Sequence, residues 1–406
     1  MEIKLVITVS LLLVCLLGGS CTLPRDFDSY LRSIVKPHRF SITKWEFRTI
    51  PHEAKQLIFG RYEKPDDEVR TVNEYFSVIE RIKTLKSEID AINADKRAGD
   101  LASLEAELDG LRERKTALES AVEKIIEKQV RENLAQQGIF NPVDKYIRLR
   151  VGFPPVNFNF GKPPYLLVIS PRDRIESMRE IALQPSISLK EMEDIEAKVD
   201  KLGVSSLVVE LGGYAVYPSF VSSEFSLRFT IDTVAEEWLH QYLAFKPLGF
   251  LYLLDLTGVR RNYDIATMNE TLAGMVSKEI GTIVCEKYYP QHENGANQVA
   301  ESGFDFNREM REIRRAVDNY LVQGEVEQAE EFMEQKRQYL ASKGHYIRKL
   351  NQAYFAFHGA YADRPAFISP IGLELKKLRS QSASLKDFLN TAAAMTSRQK
   401  LSDSVK

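Results

Sequence analysis

Val234-Ala235-Glu236-Glu237-Trp238-Leu239-His240-Gln241-Tyr242-Leu243 is the stretch on which the reading of this chain turns. Its apolar positions fit a helix, predicted over 229–245. On that helix Glu236 and His240 stand at i and i+4, so both side chains leave one face, with Glu237 beside them. A second predicted helix, 267–289, opens with Met268-Asn269-Glu270-Thr271-Leu272-Ala273-Gly274. Glu270 is well placed to bring a second carboxylate to His240, and Ala273 and Gly274 are small enough for a close helix–helix approach.

The spacing is that of HExxH, in which two histidines hold zinc and the glutamate is the general base. Here Glu236 replaces the first histidine, giving EExxH. A catalytic zinc takes three protein ligands and an open position, and Glu236, His240 and Glu270 supply three. Glu237 is then the base. Against this stand two plainer readings: a Glu-Glu pair is commonly surface charge, and a histidine among Trp238, Leu239 and Tyr242 is commonly a core residue bonded to a neighbour.

Outward from this point the chain is α+β: a small sheet followed by helices. Strands are expected at 146–151, 165–170, 207–211 and 214–220, punctuated by Pro and Gly, with a helix at 188–202. Pro218 inside the last run predicts an edge strand. Further helices are expected at 305–343 (a charged pair), at 346–358 and in two short C-terminal segments. Upstream, Val69, Val72, Phe76, Ile79, Ile82, Leu85, Ile89 and Ile92 recur at spacings of three and four, and Leu101 to Ile125 repeat the pattern after a polar break. This predicts an inserted antiparallel helical hairpin over 67–137, coiled-coil-like in its seams, whose charged surface is a solvated face or a protein-partner site.

Composition narrows the classes. With 55 basic and 57 acidic residues the net charge is −2, so no basic field for nucleic acid is present. Hydrophobic residues at 44% and charged residues at 28% are ordinary for a folded protein. Three cysteines, two of them at Cys15 and Cys21, cannot form a disulfide scaffold. Residues 5–17 are apolar and followed by Gly18-Gly19-Ser20-Cys21. That run suits an export signal. A lipoprotein signal ending at Cys21, an uncleaved anchor and a plain signal peptide remain open, and each places the rest of the chain at or beyond a membrane.

EEWLHQYL, MNETLAG, the preceding YAVYPSFV (214–221) and the tail AYFAFHGAYADRPAFISPIGLELKKLR (353–379) together resemble the gluzincin-type zinc metallopeptidases, and among them bacterial predicted aminopeptidases. The resemblance covers about 205–395. It implies a zincin-like domain over 140–398, an edge strand that holds an extended peptide substrate, and Glu236, His240 and Glu270 as metal ligands. It also implies oxyanion stabilisation from a Tyr or His, for which His358 and Tyr361 are the candidates. The function implied is a membrane-tethered metallopeptidase on the extracytoplasmic side of the cell envelope. Glu236 departs from the pattern and leaves three outcomes: zinc held by Glu-His-Glu, a harder ion such as Mn or Fe, or an inactive pseudopeptidase serving as an envelope binding protein.

Overall fold

The computed structural model describes residues 25–40, 67–94, 99–143, 150–293, 304–359 and 369–405. The N-terminal apolar run, most of the expected strand at 146–151 and Tyr361 lie outside them. No described helix is long and apolar enough to cross a membrane.

The fold is mixed α+β. Helix α1 (Arg25–Val35) is followed by the hairpin, α2 (Glu68–Asn93) and α3 (Leu101–Gln136). Strands β1 (Phe158–Gly161), β2 (Tyr165–Pro171) and β3 (Arg179–Leu183) lead to α4 (Leu189–Asp200), then β4 (Val204–Val209), β5 (Gly213–Tyr214) and β6 (Ser219–Ser222). Helices α5 (Leu227–Leu243), α6 (Pro247–Leu256) and α7 (Tyr263–Tyr288) follow. The chain closes with α8 (Phe306–Val322), α9 (Val326–Ser342), α10 (Gln352–His358), α11 (Ile371–Gln381), α12 (Leu385–Ala393) and α13 (Arg398–Ser404).

The strands form two three-stranded sheets, ordered β3-β2-β4 and β1-β6-β5. The first is antiparallel, with Leu167 facing Ile181 on one side and Val208 on the other. In the second, β6 runs parallel to β1 (Phe158 beside Ser219) and antiparallel to β5 (Tyr214 beside Phe220). The run 214–220 is therefore two short strands, and β6 is central where an edge strand was expected. Pro218 is compatible because it precedes Ser219, so its missing N–H falls outside the ladder. The β1 edge is covered by side chains of α3: Glu127 accepts the Phe158 N–H (3.1 Å) and Glu123 that of Phe160 (2.6 Å).

Helix α7 is the axis of the main core. Asn262 caps it by accepting the Ile265 N–H, and its first turns are buried almost all round, from Thr267 to Ala273. Helix α5 starts at the Ser226 cap and buries Ile231, Val234, Ala235, Trp238 and Leu239. The lower half of the hairpin enters the same core: Val72, Tyr75, Phe76, Val122, Ile125 and Ile126 pack in one cluster with Ile231, Trp238, Leu272 and Val276. Its outer half has a separate small cluster of Val78, Ile82, Leu85 and Leu108. The charged pair α8/α9 closes a third cluster through Met310, Ile313, Val317 and Met333.

Candidate metal centre

Helices α5 and α7 meet closely enough that the crossing is fixed by glycine. A Cβ built on Gly281 would overlap Asp232 Oδ1, whose carboxylate is held by Arg228 Nε at 3.0 Å. At Gly274 the corresponding carbon would sit 3.9 Å from Glu236 Oε1, ordinary contact. The tight passage is thus about two turns beyond the position expected from MNETLAG.

This crossing brings Glu236, His240 and Glu270 together, with one ligand atom from each lying within 4.8 Å of the others. His240 Nε2 is 3.7 Å from Glu270 Oε2. Glu270 is buried, and its two oxygens have different fates. Oε1 accepts a short hydrogen bond from the Tyr252 hydroxyl of α6 (2.5 Å). Oε2 is enclosed without a hydrogen-bond partner. A buried carboxylate oxygen left in this state is costly unless a cation meets it, so the donor set fits a divalent metal. Two carboxylates and one imidazole suit Zn, Mn or Fe.

Asn269, beside Glu270, contacts the opposite face of His240 at Nδ1 (3.2 Å). Its amide nitrogen faces the ring and its buried Oδ1 has no hydrogen-bond partner. In the flipped amide Oδ1 would accept Nδ1–H and leave the Nε2 lone pair facing Glu270, the tautomer that a metal ligand needs. His240 is therefore a bonded, partly buried histidine, as the plainer reading held, but one whose free nitrogen points at two carboxylates.

Glu237 projects beside the triad under the β5 backbone. A Cβ built on Gly213 would fall inside the van der Waals radius of Glu237 Oε1 and 2.6 Å from Thr233 Cγ2. Desolvation, then the charges of Glu236 and Glu270, push the Glu237 carboxyl well above the usual range. Tyr214, on the same strand, is pushed up to about 12 by burial and by the Glu237 and Glu180 charges. Gln241 Nε2 anchors the turn after β5 through Val216 O (2.7 Å) and Ser219 Oγ (2.9 Å). Trp238 packs inward and donates to Pro154 O (2.7 Å).

All four residues open into a cleft of about 960 Å³. Its walls are β3, the segment 210–217 including β5, and helices α5, α6 and α7, with the end of α10 at one side. His358 lines the same cleft, its ring against Tyr354 (4.3 Å between centroids) and Phe357 (5.0 Å). His358 thus stands in an aromatic cluster at the side of the cleft. Tyr252 and Asn269 were not singled out from the sequence as site residues. Asn269 stood in the quoted motif, whereas Tyr252 lies in an unbroken apolar run that carries no signal of a site.

Comparison with protein-family models, with curated proteins and with solved structures returned no match. What defines the site is its own geometry: a partly buried Glu-His-Glu group with a third carboxylate, Glu237, beneath an edge strand, in a large cleft.

Proposed function

We propose that the protein is a metallopeptidase, held at a membrane through residues 5–17 and acting on peptides on the extracytoplasmic side of the cell envelope. The observation that carries this reading is Glu237. It lies next to the Glu236-His240-Glu270 group and directly below the backbone of β5, whose outer edge lines the cleft. Glu236, His240 Nε2 and Glu270 Oε2 would hold the ion. A bound divalent cation supplies Lewis-acid polarisation of a carbonyl and lowers the pKa of water.

The chain's own groups account for the rest. Among the described residues β5 is paired on one side only, so its other edge can take an extended peptide as an added strand. That places a scissile carbonyl beside Glu237. Glu237 takes a proton from the attacking water as the new C–O bond forms, and delivers it to the amide nitrogen as the C–N bond breaks. Burial and the Glu236 and Glu270 charges raise its carboxyl above the usual range, which makes it a stronger proton acceptor than an ordinary carboxylate.

The test is metal content together with peptide hydrolysis. One equivalent of transition metal, and activity that falls about 10²–10⁴-fold in Glu237→Gln with metal retained, supports the enzyme. Glu236 in the histidine position favours the pseudopeptidase as the rival. Protein that stays metal-free after expression in metal-supplemented medium would establish that rival instead.

A further inference from the structure

Helix α6 and its flanks read Phe245-Lys246-Pro247-Leu248-Gly249-Phe250-Leu251-Tyr252-Leu253-Leu254-Asp255-Leu256-Thr257-Gly258-Val259-Arg260-Arg261. For a helix on the surface of a folded protein this is unusually apolar. Only Leu248, Gly249 and Asp255 within the helix are buried. Phe250 is 48% exposed, Val259 57%, Phe245 40% and Leu256 38%. Phe153 extends the patch, its ring 5.4 Å from that of Phe245, and Val151 beyond it is also exposed.

The charges in this segment are sorted. Its one acid, Asp255, is turned inward, where it accepts the Asn262 N–H (2.5 Å) and lies near Arg261 (3.9 Å). The bases Lys246 and Arg260 bracket the apolar run at its two ends. An apolar surface with no outward acid and a cation at each end matches the boundary between acyl chains and anionic headgroups. Ten residues are too few to span a bilayer, so the helix can only lie in its surface.

We infer that α6, with Phe245, Phe250, Leu256 and Val259, docks the folded domain onto an anionic lipid surface. This rests on the proposed membrane tether, since residues 5–17 would hold the domain within reach of the bilayer and remove most of the entropic cost of docking. The same helix has a second side. Tyr252, Leu253 and Leu256 line the catalytic cleft, as do Phe153 and Phe245. Docking therefore sets the mouth of the cleft at the lipid interface, and the substrate class becomes peptide segments lying at the membrane surface, such as the juxtamembrane ends of membrane proteins.

The test uses the full chain reconstituted in phosphatidylcholine/phosphatidylglycerol vesicles, some carrying doxyl-labelled lipid. Phe250→Trp and, as a control at the end of α8, Val322→Trp (native residue 88% exposed) are compared against the wild-type emission. The inference expects Phe250→Trp to be blue-shifted and quenched most by a shallow doxyl group, about 5–10 Å deep, with Val322→Trp unchanged. It also expects the Phe250→Trp quenching to weaken when phosphatidylglycerol is omitted. If the protein floats with vesicles but Phe250→Trp behaves like Val322→Trp, the docking surface is refuted while the tether stands. If the protein does not float at all, tether and docking fail together. If Phe250→Trp is shielded from both doxyl lipid and aqueous iodide, protein covers the patch and the lipid assignment is overturned.

Discussion

Gly213 lies against the carboxylate of Glu237 so closely that position 213 has no room for even a methyl group. A strand of two residues thus roofs the proposed general base, and its backbone sets where that carboxylate stands. Replacement by Ala forces either β5 or Glu237 to move. Because misplacement by about 1 Å is worth roughly 10²-fold in rate, Gly213→Ala is expected to lower peptidase activity about that far. Metal content should be unchanged, since Glu236, His240 and Glu270 are untouched. Steady-state kinetics with metal analysis on the same sample checks both halves.

Tyr252 and Asn269 bond two of the candidate ligands, Glu270 and His240, from behind. Removing such partners typically costs about 10–100-fold in metal affinity. Tyr252→Phe frees Glu270 Oε1 and Asn269→Ala frees the His240 ring. Each is expected to weaken zinc binding by that factor in a competitive chelator titration, with the fold intact by circular dichroism.

The histidine position offers a graded series. Glu236→Ala is expected to weaken zinc binding by loss of a ligand. Glu236→His is expected to keep or strengthen it, because an imidazole suits zinc and one negative charge is removed from a crowded site. Equal binding by wild type and Glu236→Ala would mean that Glu236 is not a ligand. In wild type, affinity should rise with pH, since proton uptake by the carboxylates opposes the ion. Isothermal titration calorimetry in two buffers of different ionisation enthalpy reads the released proton directly.

Glu123 gives a pH effect remote from the site. Desolvation, with Glu127 adding to it and the Phe160 N–H opposing, pushes its carboxyl up to about 8 from an ordinary 4.5. The folded state therefore binds more protons than the unfolded one between those values. This contribution to stability is complete below pH 4.5 and is lost as pH rises through about 8. Glu123→Gln still offers an oxygen to Phe160. It is expected to unfold with a flatter pH dependence across that window, the difference amounting to about a few kcal/mol. Urea denaturation at pH 5, 7 and 9 measures it.

The α+β class, the hairpin and the two helices of the site were legible because periodicity records burial on one face. The expected starts at 229 and 267 fall within a few residues of where α5 and α7 begin, at Leu227 and Tyr263 behind the caps Ser226 and Asn262. Other features left no such mark. β3 has no apolar alternation, because Glu180 and Arg179 lie on a partly exposed edge strand. α6 was missed because a helix apolar on several sides shows no period. The candidate ligands could be read from i,i+4 spacing and a second acidic helix. Tyr252 and Gly213 could not, since their contacts with Glu270 and Glu237 are tertiary and follow from no local pattern.

The core that seats α7 draws its members from Val72 through Val405. The core is closed only when its C-terminal members on α11, α12 and α13 have been made. The hairpin helices can coil early on their own, but the apolar faces of Tyr75, Phe76, Ile125 and Ile126 must wait some 100–200 residues for their partners on α5 and α7. Such long-range closure is slow and leaves sticky surface open meanwhile. If the chain is exported as proposed, crossing a membrane before folding would keep those faces apart until α5 and α7 have arrived together.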